Sequence, residues 1–277
     1  MKGLYGVLGD PIAHSMSPDM HNDAFRAMGI DAHYHAFRVE SGELGTAVKG
    51  MKALGVKGFN VTVPHKTAIM QYLDKIDPLA AAIGAVNTVV LGDGGFTGYN
   101  TDGLGFVSGL LQEIDKPLND HRALVIGAGG AARAIFYTLL NEGLHSIDVC
   151  NRTKDRAKSL ISGSENEASS NALSLPEAEE GLSRYNLIIN TTSIGMEPKT
   201  DEMPISLTNL QAGAFVSDII YNPLETCLLK EAKARGARTQ NGLPMFIGQG
   251  ALAFEIWTGK APDLERMKTI VLDKLGG

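Results

Sequence analysis

Leu124-Val125-Ile126-Gly127-Ala128-Gly129-Gly130-Ala131-Ala132-Arg133 is the stretch on which the reading of the fold turns. Arg122–Ile126 reads as a buried strand, and Gly129–Asn141 reads as a helix. The turn between them has the spacing G-x-G-x-x-A. Its first glycine permits a tight turn, its second lets backbone approach a pyrophosphate, and a small residue at Ala132 lets helix and strand pack closely. The helix start then offers free N–H groups and the positive end of the helix dipole to an anion. The spacing alone is weak; the strand before it and the helix after it point to a dinucleotide site at Gly127, Ala128, Gly129, Gly130 and Ala131. The alternative is a tight strand-to-helix turn without a ligand.

The end of the next strand, Ser146–Cys150, selects the dinucleotide. An NAD site places a carboxylate there for the ribose 2′-hydroxyl. Here the chain leaves the strand as Asn151-Arg152-Thr153, with Arg156 close behind. Two guanidiniums and a hydroxyl suit a 2′-phosphate. Each charge-assisted hydrogen bond contributes about 1.5–3 kcal/mol, or about one to two decades in affinity. Asp148 is the rival for the ribose, but Val149 and Cys150 carry the strand past it. NADP is therefore the expected cofactor; the alternative is that Arg152 and Arg156 are a solvated helix start.

Outward from this turn, strands and helices alternate. Asn186–Asn190 and Ala214–Ile219 read as further strands, so a parallel sheet is expected. Leu243–Thr258 and Asp263–Leu275 read as two helices with no following strand, expected to fold back on the first half. That half reads as strand Leu4–Leu8, a helix from Ser17-Pro18 to Gly29, strand His33–Val39, helix Ser41–Leu54 and strand Phe59–Val63. Serine at the cap and proline at the first helical position suit the start at Ser17. Val86–Leu91 and Phe96–Tyr99 flank Gly92-Asp93-Gly94-Gly95 as a hairpin. Thr101 or Asp102 caps a helix to Leu111. Lys116–His121, polar with Pro117, reads as a linker, and Ser162–Ser170 as a surface loop. The expected fold is α/β: an N-terminal α/β substrate domain (1–102 with 242–277) and a Rossmann-type NADP-binding domain (103–241).

The composition fits. Of 277 residues, 44% are hydrophobic and 20% charged, enough for packed cores. A net charge of −6 argues against a nucleic-acid partner, which needs a basic face. Cys150 and Cys227, the two cysteines, make no CxxC pair, which fits a reducing, cytoplasmic setting. The apolar run in 1–8 is too short for a signal-peptide core, and no stretch approaches the ~20 apolar residues that span a bilayer. No membrane partner is expected.

Three polar segments end apolar strands: Asp10-Pro11-Ile12-Ala13-His14-Ser15-Met16-Ser17-Pro18, Asn60-Val61-Thr62-Val63-Pro64-His65-Lys66 and Tyr99-Asn100-Thr101-Asp102-Gly103. Ligands of open α/β sheets sit outside the carboxyl ends of strands, so these loops converge on one small polar ligand. Reducing a ketone needs a hydride at carbon and a proton at the developing alkoxide. Lys66 is the natural donor and Asp102 the natural orienting carboxylate, a contribution of about 10²–10⁴ in rate. Taken alone, Lys66 reads first as a surface lysine, and Ser15 and Ser17 read also as turn and cap residues. His14, His21, His33, His35 and His65 invite a metal reading. His33 and His35 share a strand face, but no third ligand stands at zinc-like spacing, so no metal is expected. No G-x-S-x-G elbow appears, which argues against a serine hydrolase.

These segments together resemble the shikimate dehydrogenase family. The match runs in order through nearly the whole chain: Ser15-Met16-Ser17-Pro18, the 60–66 segment, Gly84-Ala85-Val86-Asn87-Thr88, Tyr99-Asn100-Thr101-Asp102-Gly103, the Gly127 turn and Asn151-Arg152-Thr153. Asn190-Thr191-Thr192-Ser193, Tyr221-Asn222-Pro223 and Asn241-Gly242-Leu243-Pro244-Met245 with Gln249 complete it. The resemblance implies NADPH-dependent reduction of 3-dehydroshikimate to shikimate, a step toward the aromatic amino acids. It implies that Lys66 and Asp102 form the catalytic pair and that Ser15, Ser17, Thr62, Asn87, Tyr221 and Gln249 hold the substrate. Thr191, Thr192, Ser193, Ile219, Gly242 and Met245 join the cofactor residues on the same ground; Ile219 stands where many members carry methionine. Substrate in the first domain, NADPH in the second and a cleft closing between them follow as expectations. The serine pair favours shikimate over quinate, an argument of one methyl group. A broader quinate/shikimate dehydrogenase using NAD and a non-catalytic nicotinamide-binding module are the alternatives. A monomer and a homodimer fit equally.

Overall fold

The computed structural model describes residues 2–164, 167 and 169–276. Glu165, Asn166 and Ala168 of the 162–170 segment lie outside the described residues. The strands are β1 (Gly3–Gly9), β2 (Ala32–Arg38), β3 (Gly58–Val61), β4 (Lys75–Ile76), β5 (Thr88–Gly92), β6 (Gly95–Tyr99), β7 (Ala123–Ile126), β8 (Ile147–Cys150), β9 (Ala172–Leu173), β10 (Leu187–Asn190), β11 (Phe215–Asp218) and β12 (Arg238–Gln240). The helices are α1 (Ser17–Ala27), α2 (Leu44–Ala53), α3 (Pro78–Ile83), α4 (Asp102–Leu111), α5 (Gly130–Asn141), α6 (Lys154–Ile161), α7 (Leu175–Glu180), α8 (Cys227–Ala234), α9 (Leu243–Thr258) and α10 (Leu264–Gly276).

Two compact units result: residues 1–105 with 247–277, and residues 106–246. The first contains a six-stranded mixed sheet of order β2-β1-β3-β5-β6-β4. β1 runs parallel to β2 and β3, while β5 is antiparallel to β3 and β6, as a two-strand hairpin requires. Leu8, Phe59, Val61, Val89 and Phe96 from four of these strands meet α2 residues in one core. α10 and α9 from Ile247 onward belong to this unit, in line with their lack of a following strand. Arg266 of α10 donates to Asp23 of α1 at 2.6 and 3.0 Å, and the Trp257 indole of α9 donates to the Val89 carbonyl at 2.9 Å.

The second unit is a six-stranded, all-parallel sheet of order β12-β11-β10-β7-β8-β9. Its central strands are buried on both sides, so alternate residues feed two separate cores. Ala123 and Val125 pack in one with Phe136 and Ile189; Leu124 and Ile126 pack in the other with Ile188 and Val216. This is the doubly wound pattern, and it puts the Gly127 turn at the carboxyl end of β7, where strand order reverses.

Two local expectations are corrected. Ser17 is the first residue of α1, not its cap: Met16 holds that position and no side chain caps the helix. Burial explains the shift, because Ser17 is turned into the molecule, where its hydroxyl meets the Tyr34 phenol. Lys116–His121 does not link the units; it lies within the second as a 3-10 turn with Leu118 and His121 buried. Among the described residues, no helix is long and apolar enough to cross a membrane.

Candidate active site

In the first unit the loops after β1 and β3 run side by side, the Asp10 N–H donating to the Val63 carbonyl at 3.1 Å. The Lys66 carbonyl accepts from the Val86 N–H at 2.8 Å, which fixes this segment to the chain entering the hairpin. The Lys66 ammonium donates to Asp102 Oδ2 at 2.5 Å. The lysine side chain is 23% exposed and the aspartate 9%, so the pair is largely withdrawn from water yet reachable from one side.

Asp102 opens α4, and its N–H donates to Asn100 Oδ1 at 3.1 Å. Its second oxygen, Oδ1, accepts from Asn87 Nδ2 at 2.8 Å. The amide of Asn87 cannot turn over, because its Oδ1 takes the Thr101 N–H at 2.8 Å and the Thr88 hydroxyl at 3.0 Å. A fixed amide therefore aims the carboxylate, and the carboxylate aims the ammonium.

This network extends through residues absent from the sequence reading. Asn60 donates to the Asn87 carbonyl at 3.2 Å and accepts from the buried Tyr34 phenol at 2.7 Å. Burial raises the Tyr34 phenol well above its ordinary range, so it stays a donor, and Ser17 is its other partner. Tyr34 lies on a strand whose alternation was legible, but a phenol facing inward has no sequence signal of its own. Asn60 sat inside a quoted segment and was not singled out.

The remaining first-unit residues fall around this frame. The Ser15 hydroxyl accepts from the Ser17 N–H at 3.4 Å, and the Thr62 N–H donates to the Leu8 carbonyl at 2.9 Å. Gln249 on α9 is brought to α4 by a close crossing. A Cβ on Gly105, one turn from Asp102, would lie 2.4 Å from the Gln249 nitrogen, so only glycine allows the approach. The histidines divide otherwise. His65 is buried against the Val39 carbonyl at 2.7 Å. His21 is wholly buried, its pKa pushed down to about 3 by burial, and its neutral ring stacks on Tyr34 at 4.6 Å. Among the described residues no three His, Cys, Asp or Glu side chains gather as metal ligands.

The residues expected from the sequence to hold the cofactor, together with Tyr221, lie in the second unit. Gly127 has φ +112°, and a Cβ there would lie 2.5 Å from Thr191 Oγ1. The Thr191 hydroxyl donates to the Ile126 carbonyl at 2.6 Å, so the loop after β10 closes directly over the turn. α5 begins without a side-chain cap, and Gly129 and Gly130 face open space. Uncapped N–H groups with room before them fit a pyrophosphate.

Asn151, Arg152, Thr153 and Arg156 follow β8, with both arginines exposed. Neither arginine makes an ion pair among the described residues, whereas Lys154 between them is held by Glu177 at 2.7 Å. Two unpaired guanidiniums at the ribose end of the sheet fit a 2′-phosphate. Asp148, the rival for the ribose, is engaged elsewhere. It accepts from the Tyr185 phenol at 2.7 Å, from the Asn171 N–H at 2.7 Å and from Arg122 at 3.3 Å. On the other half of the sheet Ala128, Ile219 and Met245 sit half-buried against one core, a surface suited to a flat ring. The Gly242 N–H donates to the Ile220 carbonyl at 2.9 Å. Tyr221 follows on the same loop, its ring 4.7 Å from that of Phe246. Met245 and Gln249, one turn apart on α9, belong to different units.

Comparison with known proteins adds to this geometry. Three family descriptions match the chain: a shikimate dehydrogenase substrate binding domain over residues 7–89, a shikimate/quinate 5-dehydrogenase over residues 109–219 and a shikimate 5′-dehydrogenase C-terminal domain over residues 242–272. A Bacillus cereus (strain AH187) protein named shikimate dehydrogenase (NADP(+)) is 58% identical over 277 residues, the whole of both chains. A shikimate dehydrogenase crystallised in complex with NADP+ superposes with a TM-score of 0.91 at 44% identity, covering 99% of this chain and 96% of that one. The Thermus thermophilus enzyme, solved with NADP(H) and shikimate, gives 0.89 at 37% identity, covering 98% and 99%.

Proposed function

Because the chain belongs to the shikimate dehydrogenase family, we propose that it interconverts 3-dehydroshikimate and shikimate with NADP, using Lys66 and Asp102 as its proton-handling pair. The observation that carries the residue assignment is the 2.5 Å contact between the two, held by an amide that cannot turn over.

The first unit's residues hold the substrate and move its proton. Ser15, Ser17, Thr62, Asn87 and Gln249 satisfy the hydroxyls and carboxylate of a small polyhydroxylated acid. A site of that kind rejects a ligand that leaves its buried polar groups unpaired. Lys66 gives a proton to the C3 oxygen as the ketone is reduced and recovers one in the reverse direction. Asp102 keeps the ammonium on the line to that oxygen, a contribution of about 10²–10⁴ in rate. In the second unit the Gly127–Ala131 turn and the start of α5 hold a pyrophosphate, and Asn151, Arg152, Thr153 and Arg156 hold a 2′-phosphate. Thr191, Thr192, Ser193, Ile219, Gly242 and Met245 line the nicotinamide side. NADPH held there would supply the hydride in reduction, and NADP+ held there would accept it in oxidation. The substrate domain is read as 1–102 with 242–277 and the NADP-binding domain as 103–241; the compact units, 1–105 with 247–277 and 106–246, support that reading. The two thiols, Cys150 and Cys227, are unpaired, consistent with work in a reducing cytoplasm, as a monomer or a homodimer.

The test adds shikimate or quinate, each with NADP or NAD, to the purified protein and follows reduced cofactor by absorbance. Rapid turnover with shikimate and NADP, and at least tenfold less in the other three combinations, is the expected result. Comparable rates with quinate and NAD select the broader dehydrogenase, and silence in every combination from a folded, NADP-binding sample selects the non-catalytic module.

A further inference from the structure

Asp218, the last residue of β11, is wholly buried and takes no part in the chemistry above. Its Oδ1 accepts from Asn190 Nδ2 at 3.0 Å and from the Ile220 N–H at 3.1 Å; its Oδ2 accepts from the Thr226 hydroxyl at 2.8 Å. Two donors adjoin segments read as the nicotinamide side, Asn190 at the start of the 190–193 loop and Ile220 next to Ile219, and the third, Thr226, precedes α8. Asn190 in turn accepts from the Thr192 N–H at 3.0 Å and its hydroxyl at 2.8 Å, which shapes the 190–193 loop. The Ile220 carbonyl accepts from Gly242 at 2.9 Å, next to Ile219. Thr226 caps α8, accepting from the Leu229 N–H at 3.4 Å.

We propose that Asp218 is a positioning residue for the cofactor, its carboxylate being the shared acceptor that holds the 190–193 loop and the 219–221 loop in the geometry that receives the nicotinamide half. The inference rests on the reading of this unit as an NADP site. Two of the three donors on Asp218 cannot reverse: the Asn190 amide is fixed by Thr192, and the Ile220 N–H can only donate. A neutral acid weakens both bonds, and a proton on Oδ2 forces the Thr226 hydroxyl to turn from donor to acceptor.

Burial nevertheless pushes the Asp218 carboxyl up to about 6, so the ionised form is held against its desolvation by those three bonds. Among the described residues no charged side chain faces it. From β10 it meets Asn190, from the loop after β11 the Ile220 N–H, and from the turn before α8 Thr226. Glu225 pairs instead with Lys233 at 2.5 Å, and Gln240 of β12 faces Ser217.

The ionised form is the one that binds cofactor, so affinity is lost as pH falls through about 6. If the neutral form does not bind, apparent affinity at pH 5 is about tenfold lower than at pH 8. The sheet separates the two halves of the cofactor. β8 carries the 2′-phosphate residues on one side of β7, and β10 and β11 lie on the other. A fragment without the nicotinamide, 2′-phospho-ADP-ribose, therefore lacks the ring that these loops receive while sharing both the titrating 2′-phosphate and the pyrophosphate diester.

The experiment measures the Kd of NADP and of 2′-phospho-ADP-ribose from pH 5 to pH 8 by calorimetry, on the natural protein and on Asp218→Asn. The inference predicts that the ratio of the two Kd values rises about tenfold toward pH 5 in the natural protein. In Asp218→Asn it is raised at all pH values and flat, with 2′-phospho-ADP-ribose binding unchanged. A pH-independent ratio in the natural protein overturns the inference, and that measurement needs no variant. Equal weakening of both ligands in Asp218→Asn also overturns it, since that marks a general defect of the unit. Failure of the natural protein to bind either ligand overturns the NADP site itself, which separates the two failures.

Discussion

Asp102→Asn is the substitution that the geometry of the first unit judges most sharply. It is isosteric and leaves no cavity, so its whole effect comes from the direction of hydrogen bonds. Asp102 faces two donors, the Lys66 ammonium at 2.5 Å and Asn87 Nδ2 at 2.8 Å. An asparagine has one oxygen to offer. If it faces Lys66, its amide nitrogen meets Asn87 Nδ2, which cannot flip because Asn87 Oδ1 holds Thr101 and Thr88. If it faces Asn87, its nitrogen meets the ammonium. Either way a donor meets a donor in a site whose carboxylate is 9% exposed. Leaving a buried donor unsatisfied costs about 1–3 kcal/mol, and a hydrogen bond to a charged group is worth about 1.5–3 kcal/mol. The rotamer facing Asn87 releases Lys66 from its line to the substrate, and the one facing Lys66 offers it only a neutral acceptor pushed by an unsatisfied Asn87 amide, so kcat should fall by about 10² or more. Steady-state kinetics with shikimate and NADP read the rate, and urea unfolding reads a stability loss of about 1–3 kcal/mol. NADP binding is expected to be unchanged. A kcat within threefold of the natural protein refutes the reasoning, because the orientation of the pair would then not matter.

Two further substitutions address the cofactor. Gly127→Ala places a Cβ 2.5 Å from Thr191 Oγ1 at a φ of +112°, so the turn must deform. With strain of about 1–3 kcal/mol the Kd of NADP should rise by about tenfold or more, measured by fluorescence titration. Arg152→Ala removes a guanidinium that no carboxylate engages among the described residues, so it should weaken NADP by about one to two decades while leaving NAD nearly unaffected. Paired titrations check the ratio, and equal loss for both cofactors contradicts the 2′-phosphate assignment.

The parts legible in the sequence were those in which a local pattern had one physical outcome. The Gly127 turn is an example: an apolar run, two glycines and a small residue leave little else for the backbone to do. The hairpin at Gly92–Gly95 and the return of α9 and α10 were legible for similar reasons. β4 and β9, two residues each, show no period to read. Serine at position 17 suited a helix cap by type. The backbone enters the helix one residue earlier, and the hydroxyl serves Tyr34 instead. Long-range polar partners left no local trace either. Asp218 reads as the end of a strand, and only the fold brings Asn190, 28 residues away, to its carboxylate. The Lys66–Asp102 pair, 36 residues apart, was reached through chemistry and resemblance.

The central claim, that Lys66 moves the substrate's proton while the second unit alone holds the dinucleotide, is tested most directly by Lys66→Ala. Turnover of shikimate and the Kd of NADP are measured on one preparation. The account predicts that kcat falls by about 10² or more while the Kd of NADP stays within twofold. Near-normal turnover, or a matching loss of NADP affinity, contradicts it.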